Sequence, residues 1–173
     1  MSKDKDLLPE KIPAFRFAEA STFVKGTLLI KDMHRLCSSL FEKEGLVSVE
    51  MQFGMDAEKI ALVRGRVEAS LMLQCQRCME PYRHKVASDF VSGIVKTEEA
   101  ASRLPDSYDV ILSEDGTFLV QERIEDELMI SLPIVPMHDL RECKMKETKI
   151  LLEAGRENHE NPFKVIEILK TKE

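Results

Sequence analysis

Residues 71–81, Leu-Met-Leu-Gln-Cys-Gln-Arg-Cys-Met-Glu-Pro, hold two of the four cysteines of the chain in a Cys-x-x-Cys spacing. Apolar and polar residues alternate before this stretch, over residues 63–75, and the alternation resumes after it, over residues 82–94. A period of two residues over such a length is typical of a strand that buries one face. We therefore predict a long β-hairpin with Cys75 and Cys78 at its tip.

Other alternating stretches predict the strands that extend this hairpin into a sheet. Residues 46–53 alternate strictly and predict a third strand of an antiparallel meander. Residues 22–30 are rich in β-forming side chains and predict a further strand, and residues 108–112 predict a short one before a turn. The sheet should therefore be antiparallel and centred on residues 46–95.

Two stretches carry apolar residues at helical spacing. Residues 33–41 predict an amphipathic helix whose buried stripe includes Cys37, and residues 119–132 predict another that Pro133 ends. Hairpin-connected strands with one buried face need such helices to cover that face. The predicted fold class is α+β, with an antiparallel meander sheet packed with helices and a C-terminal helical arm.

The ends of the chain are predicted to be appendages of a single domain that spans residues 1–173. Residues 1–11 are polar and are expected to be flexible. Residues 155–173 are expected to form the helical arm, because Asn161 suits a helix cap and Pro162 suits the first helical position.

Composition narrows the classes of function. The chain has 25 Lys and Arg against 31 Asp and Glu, a net charge of −6, and 43% hydrophobic residues. This apolar content suits a packed core, while the acidic total argues against non-specific coating of nucleic acid. The sequence contains neither a signal-peptide pattern nor an apolar run long enough to cross a bilayer. We expect a cytoplasmic protein with reduced thiols and with no membrane or DNA partner.

The Cys75/Cys78 pair is the strongest candidate for chemistry. Two thiolates at this spacing can bind one tetrahedral metal ion from a tight turn, and zinc is the candidate metal. A complete site needs two more ligands, for which the sequence offers His138 and Cys143 in a later loop, or His84 nearby. Two alternatives remain: a reduced pair that only packs at the tip, and a redox dithiol, although such dithiols usually precede a helix.

Basic residues concentrate in the same hairpin. Residues 59–85 carry six cations against two carboxylates within an acidic chain. These cations could contact the phosphates of structured RNA, and the alternative is a solvated sheet face. A stacking aromatic would favour single-stranded RNA, but Tyr82 falls on the apolar side. The candidate RNA-binding residues are Arg64, Arg66, Arg77, Arg83 and Lys85.

Acidic residues fill one side of the helix predicted over residues 119–132. They are Glu122, Glu125, Asp126 and Glu127. Such carboxylates could bind Mg²⁺ or act in acid–base catalysis, but a solvated or partner-facing surface is the favoured interpretation. No Ser-His-Asp set, phosphate-binding glycine loop or His-Glu-x-x-His motif accompanies them. We therefore expect no enzyme, and treat a ribonuclease that uses Glu125 and Asp126 as the weakest alternative.

Several stretches together resemble the YceD family, the large ribosomal RNA subunit accumulation proteins. They occur in order along residues 45–172, whereas the N-terminal third fits by length and pattern only. The stretches are Leu-Gln-Cys-Gln-Arg-Cys at 73–78, Leu-Pro-Asp-Ser-Tyr at 104–108, Ile-Glu-Asp-Glu-Leu at 124–128, Leu-Pro-Ile-Val-Pro-Met-His at 132–138, Cys143, and Asn-Pro-Phe at 161–163.

The resemblance implies a bacterial cytoplasmic protein, with plastid relatives, that is needed for normal levels of large-subunit ribosomal RNA. It also implies a gene that commonly lies beside one for a large-subunit ribosomal protein, and membership of the family establishes no catalytic activity. Many relatives carry further Cys-x-x-Cys pairs after the Pro-x-x-Pro segment, resembling a zinc ribbon. This chain departs from that pattern, because it keeps only His138 and Cys143 there.

We therefore expect a non-enzymatic ribosome-biogenesis factor that supports the accumulation or processing of large-subunit ribosomal RNA. Its partner would be ribosomal RNA or a pre-ribosomal particle. The alternative is an adaptor that binds a ribosomal protein or an RNA-processing enzyme through the acidic residues of 122–127, without touching RNA.

Overall fold

The computed structural model describes residues 7–144. The predicted helical arm over residues 155–173 lies outside this range, as does a short helix expected over residues 145–152. Within the range, the expected flexible N-terminus is represented by residues 7–11. These residues are hydrogen-bonded into the fold: the Leu8 amide donates to the Thr27 carbonyl, and Lys11 begins a strand.

The described residues form strands and helices in a mixed α+β arrangement. The strands are β1 (Lys11–Pro13), β2 (Phe23–Leu29), β3 (Leu46–Met55), β4 (Ala61–Gln74), β5 (Pro81–Val95), β6 (Asp109–Leu112) and β7 (Thr117–Leu119). The α-helices are α1 (Ala14–Glu19), α2 (His34–Cys37), α3 (Glu98–Ala101) and α4 (Val120–Ile130). The α+β class predicted from the sequence is confirmed.

The main sheet has the order β2-β3-β4-β5-β6. The predicted meander is confirmed, since β3, β4 and β5 pair antiparallel in sequence order, and β2 pairs antiparallel with β3. β6 was expected in an antiparallel sheet but runs parallel to β5. The connection through α3 carries the chain back to the starting end of its neighbour, and a return of this kind gives parallel pairing.

One face of the main sheet is buried, as the alternating pattern predicted. Val47, Val63, Val67 and Phe90 point into a core that also receives Ile124 from α4. The helices α1 and α4 pack against the strands from this side. The opposite face carries the charged residues of the strands, and we call it the open face. Within residues 7–144, the far end of this face is covered where the Leu104 side chain packs over Gly93.

The helix predicted over residues 33–41 is shorter than expected. Its apolar stripe is buried at Met33 and Leu36, and Cys37 lies in the core as predicted, but α2 ends at Cys37 and Phe41 is half exposed. The chain leaves the helix because the Phe41 amide donates to the Met72 carbonyl on β4. Pairing with the sheet therefore replaces the last predicted turn of helix.

The small sheet that joins β1 to β7 was not predicted, and neither was α1. Each strand has three residues, and they pair antiparallel across more than a hundred residues of chain. The pairing places α1 against β3, where its Ala14 and Ala18 are fully buried. Residues one helical turn apart lie on the same face, and alanine allows that face to approach the sheet closely.

Candidate metal centre and candidate nucleic-acid interface

The tip of the β4–β5 hairpin places both thiols of the Cys-x-x-Cys pair on a tight turn. The Cys75 amide donates to the Glu80 carbonyl, and the Met79 amide donates to the Cys75 carbonyl. Met79 has a φ of 63°, in the left-handed region that tight turns use. This turn presents Cys75, which is buried, and Cys78, which is partly buried, toward the same space.

The segment after α4 crosses this tip and brings two more ligands. The Gln76 amide donates to the Pro136 carbonyl, and the Lys144 ammonium pairs with the Glu80 carboxylate at 2.8 Å. Asp139 folds the intervening loop, because its carbonyl accepts from the amides of residues 142 and 143. The loop therefore returns toward the hairpin, and this return brings Cys143 to the thiol pair.

Cys75, Cys78, His138 and Cys143 form one cluster whose potential ligand atoms all lie within 4.8 Å of one another. Tetrahedral zinc with a Zn–S distance of 2.3 Å would hold thiolate ligands about 3.8 Å apart, so the group needs to contract by about 1 Å at most. The His138 Nε2 lies 3.7 Å from the Cys78 Sγ. The donor chemistry and the spacing therefore fit a metal ion.

Three further observations describe the electrostatics of the cluster. Burial disfavours ionisation of the Cys75 thiol, but hydrogen bonds from the backbone of Cys78, Arg77 and His138 outweigh it and lower the pKa of Cys75 to about 6. Burial and the neighbouring thiols raise the pKa of Cys78. Nδ1 of His138 is buried and has no hydrogen-bond partner in residues 7–144. A metal cation that prefers sulfur and imidazole ligands would stabilise this thiolate and could also bind the imidazole.

The structure thus brings together the four ligands predicted from the sequence. His84, the alternative ligand, is not part of the cluster, and its ring packs against Tyr82. A strand follows the thiol pair, as predicted, so the helix N-terminus that activates many redox dithiols is missing from this hairpin.

Four of the five predicted RNA-binding residues share the open face. Strand pairing places Arg64 opposite Val91, Arg66 opposite Asp89, and Ser70 opposite Lys85. Over β2 to β5 this face carries five cations and three carboxylates, which makes it net positive on an acidic protein. The cations are Lys25, Arg64, Arg66, Arg83 and Lys85, and the carboxylates are Glu50, Glu68 and Asp89.

The cations of the open face differ in whether a carboxylate pairs with them. Arg66 pairs with Glu68 at 2.9 Å and with Asp89 at 3.3 Å. Arg83 donates only to the Ser70 hydroxyl, at 3.4 Å, and neither Arg64 nor Lys85 has a carboxylate partner among the described residues. Arg66 is therefore largely satisfied within the sheet, and Lys25 pairs with Glu50 at 2.6 Å. The remaining three cations, Arg64, Arg83 and Lys85, keep their charge available.

Arg77 does not belong to this surface. It lies at the hairpin tip, where one guanidinium nitrogen contacts the Met137 sulfur at 3.4 Å and another is buried without a partner in the described range. Its position between the two cysteines directs it toward the segment after α4. Arg77 is therefore separated from the other four candidate RNA-binding residues, and its contact with RNA stays a prediction.

The acidic residues of α4 are largely turned inward. Glu125 and Glu127 are 5% and 7% exposed. Glu125 accepts hydrogen bonds from the Leu36 amide and the Arg35 guanidinium, and Arg35 also pairs with Asp126 at 2.6 Å. The solvated surface expected for this side is therefore wrong at Glu125 and Glu127, whereas Glu122 is exposed and the Asp126 side chain is 44% exposed.

Arg123 makes the ion pairs on the buried side of α4. Its guanidinium pairs with Glu127 and, at 2.7 Å, with Asp109 on β6, and it lies 4.9 Å from the centre of the Phe90 ring. The ion pairs of Glu125 and Asp126 with Arg35 join α4 to α2, and the pair between Arg123 and Asp109 joins α4 to the sheet. A role of this helix in binding a partner stays a prediction.

Two residues of the open face were missed by the sequence analysis. Asp89, which pairs with Arg66, could have been found from the hairpin register, because a tip that places Gln74 opposite Pro81 also places residue 66 opposite residue 89. Phe23 is 56% exposed on β2, and its position on this face depends on a strand pairing that the sequence does not specify.

No helix among residues 7–144 is long and apolar enough to cross a membrane.

Comparison with known proteins identifies the family. The family model described as large ribosomal RNA subunit accumulation protein YceD matches residues 63–170. The large ribosomal RNA subunit accumulation protein YceD of Haemophilus influenzae is 29% identical over 169 residues, which cover 95% of this chain and 97% of that protein. No solved structure matches the chain significantly. The resemblance deduced from the cysteine hairpin and the segments after it is confirmed, and the chain belongs to the YceD family of large ribosomal RNA subunit accumulation proteins.

Proposed function

We propose that this protein supports the accumulation of large-subunit ribosomal RNA by binding RNA, or a pre-ribosomal particle, through the open face of its sheet. The name of the family and of the Haemophilus relative supports the link to ribosomal RNA. The observation that supports direct RNA contact is a set of cations that share the open face and have no carboxylate partner within residues 7–144, namely Arg64, Arg83 and Lys85.

The spacing of these cations suits an extended RNA backbone. Arg83 pairs across the hairpin with Met72, eight residues along β4 from Arg64. At the usual rise of a strand this is about 27 Å, so the contacts would span several phosphates. Arg66 lies between the two ends but is already matched by Glu68 and Asp89, and it contributes less.

The test is binding of large-subunit ribosomal RNA precursor fragments across a salt series. We expect a triple Arg64→Ala, Arg83→Ala, Lys85→Ala variant to bind more weakly and with a reduced salt dependence, because it removes the phosphate contacts. The charge-matched control replaces Lys11, Arg16 and Lys31, which are exposed and lie outside the strands of the main sheet. A wild-type protein without affinity at low salt, or a triple variant that binds as tightly as the control, contradicts direct RNA contact.

We also propose that Cys75, Cys78, His138 and Cys143 hold zinc in a structural role. The ion would fasten the hairpin tip to the segment after α4 through four protein ligands, which is the closed coordination of structural sites. Support comes from the mutual distances of the ligand atoms and from the low pKa of the Cys75 thiol.

Metal analysis of the purified protein tests this assignment. We expect about one zinc per chain, lost on Cys75→Ser or Cys143→Ser substitution. Cys37→Ser is the matched control, because this thiol is also buried but donates to the Ile30 carbonyl away from the cluster. A wild-type protein that binds neither zinc nor cobalt, the latter followed by its thiolate absorption, rules out the metal site.

A second candidate function is an adaptor that binds a ribosomal protein or an RNA-processing enzyme without RNA contact. It is favoured by exposed apolar side chains at the end of α4 and after it: Ile130 is 79%, Ile134 97% and Leu140 66% exposed. Affinity capture after nuclease treatment separates the two functions. Protein partners that survive RNA removal and are lost on Ile134→Ser substitution would support the adaptor.

The proposed role is non-enzymatic. The carboxylates that a ribonuclease would need, Glu125 and Asp126, are engaged by Arg35. Cleavage of ribosomal RNA by the purified protein with a divalent cation would contradict this part of the proposal. The single-domain organisation and the cytoplasmic location stay predictions.

A further inference from the structure

Phe23 is an exposed aromatic side chain beside the basic residues of the open face. It begins β2, an edge strand of the main sheet, and is 56% exposed. Its ring makes no aromatic contact within residues 7–144 and lies outside the buried core. A single exposed aromatic residue is ordinary on a protein surface, so its meaning depends on what surrounds it.

The strand register places Phe23 in one row with Arg64. Phe23 pairs with Gln52 on β3, and Gln52 pairs with Arg64 on β4. Phe23 and Arg64 are therefore two strands apart, or about 10 Å. The Gln52 amide between them donates to the Ser21 and Phe53 carbonyls, which anchors it at the strand end. A shallow groove of about 330 Å³ runs across this row.

The charges that line the groove are matched except at one position. Glu50 pairs with Lys25 at 2.6 Å, and Asp89 pairs with Arg66. Arg64 is left without a carboxylate partner among the described residues. The groove therefore joins one unmatched cation to one exposed ring, with the remaining charges neutralised in pairs.

We infer that this groove binds an unpaired RNA nucleotide, whose base stacks on Phe23 while a phosphate contacts Arg64. The inference rests on the proposed function and specifies its substrate class as single-stranded rather than duplex RNA. Proteins that bind single strands combine a positive groove with aromatic rings on which bases stack. A duplex keeps its bases stacked on one another, so it could use the cations but not the ring.

Substitutions at Phe23 separate a stacking contact from a merely apolar one. Phe23→Leu keeps apolar surface but removes the ring, and Phe23→Tyr keeps the ring. The probes are oligoadenylate and oligouridylate strands and the duplex that the two form, measured at low salt. We expect Phe23→Leu to weaken single-strand binding roughly 5- to 100-fold, Phe23→Tyr to bind like the wild type, and duplex binding to change little. Phe41→Leu, at another half-exposed ring, is the matched control.

The outcomes distinguish this inference from the proposed function. If Phe23→Leu binds single strands like the wild type while the Arg64, Arg83 and Lys85 triple variant loses affinity, the stacking site is wrong and RNA binding stands. If Phe23→Leu and Phe23→Tyr are weakened equally, or if duplex binding falls as much as single-strand binding, the stacking site is also wrong. A wild-type protein that binds none of these probes overturns the stacking site, while RNA binding itself is decided by the ribosomal RNA precursor fragments.

Discussion

Replacement of Glu125 tests whether the acidic side of α4 holds the fold together. The Leu36 amide donates to the Glu125 carboxylate at 3.0 Å in a buried position, and the Arg35 guanidinium pairs with it at 3.0 Å. Glu125→Ala leaves the buried amide without an acceptor, which costs about 1–3 kcal/mol. Arg35 is half exposed, so loss of that ion pair adds only about 0–1 kcal/mol.

The expected loss for Glu125→Ala is therefore about 1–4 kcal/mol, or a fall in Tm of about 2–16 °C for a chain of this size. Glu125→Gln keeps an acceptor for the Leu36 amide and should cost about 1 kcal/mol. Glu122→Ala, at the exposed position of the same helix, should change stability by no more than about 0.5 kcal/mol.

Thermal and urea unfolding followed by circular dichroism measure all three variants. The order Glu125→Ala, Glu125→Gln, Glu122→Ala in decreasing loss is expected, with intact secondary structure at low temperature. A Glu125→Ala protein as stable as Glu122→Ala would refute the structural role of this carboxylate. The residue would then be free for the partner contact that the sequence suggested.

Two other substitutions test the packing around β4 and β5. Gly65→Ala should destabilise the protein by about 1–3 kcal/mol in urea unfolding, because its methyl group would occupy the space of the Phe90 ring across the hairpin; a variant with unchanged stability would contradict this packing. Arg123→Ala should cost about 3–5 kcal/mol in the same assay, since it leaves the buried Glu127 carboxylate unpaired. Rescue by Glu127→Leu in the double variant would confirm that the unpaired charge causes the loss, and a double variant no more stable than Arg123→Ala would contradict it.

The central hairpin could be predicted because the residues that determine its strands and its turn are neighbours in the sequence. Alternation along β4 and β5 fixes which side chains are buried, and the turn chemistry between them fixes the register. Once Cys75 and Cys78 are placed at the tip, the positions of Arg64, Arg83 and Lys85 on the open face follow from the period of two residues. This is why the candidate RNA surface was largely identified from the sequence.

The elements that were missed depend on contacts between distant parts of the chain. β1 and β7 have three residues each, too few for a periodic signal, and they form a sheet only with each other. α2 is shortened because the amide of residue 41 donates a hydrogen bond to a carbonyl on β4. The inward orientation of Glu125 likewise requires Arg35 and the Leu36 amide, which lie about ninety residues earlier in the chain.

The candidate metal centre depends both on local spacing in the sequence and on contacts between distant parts of the chain. Cys75 and Cys78 share one turn, so their proximity follows from spacing alone. His138 and Cys143 reach them only because the segment after α4 crosses the hairpin, where Gln76 bonds to Pro136. The spacing of the second pair is unusual for zinc ligands, and tertiary structure compensates for it.

The distribution of charge explains how an acidic protein could bind RNA without coating it. The net charge of −6 belongs to the whole chain, whereas the open face carries five cations and three carboxylates. Since Arg66 and Lys25 are matched by carboxylates, three cations remain to displace counterions from RNA. For single strands this predicts that log K falls with log salt with a slope of about 2, far below that of a protein that covers the backbone. Affinity this weakly dependent on salt must draw on other contacts, and the exposed ring of Phe23 is placed to supply one.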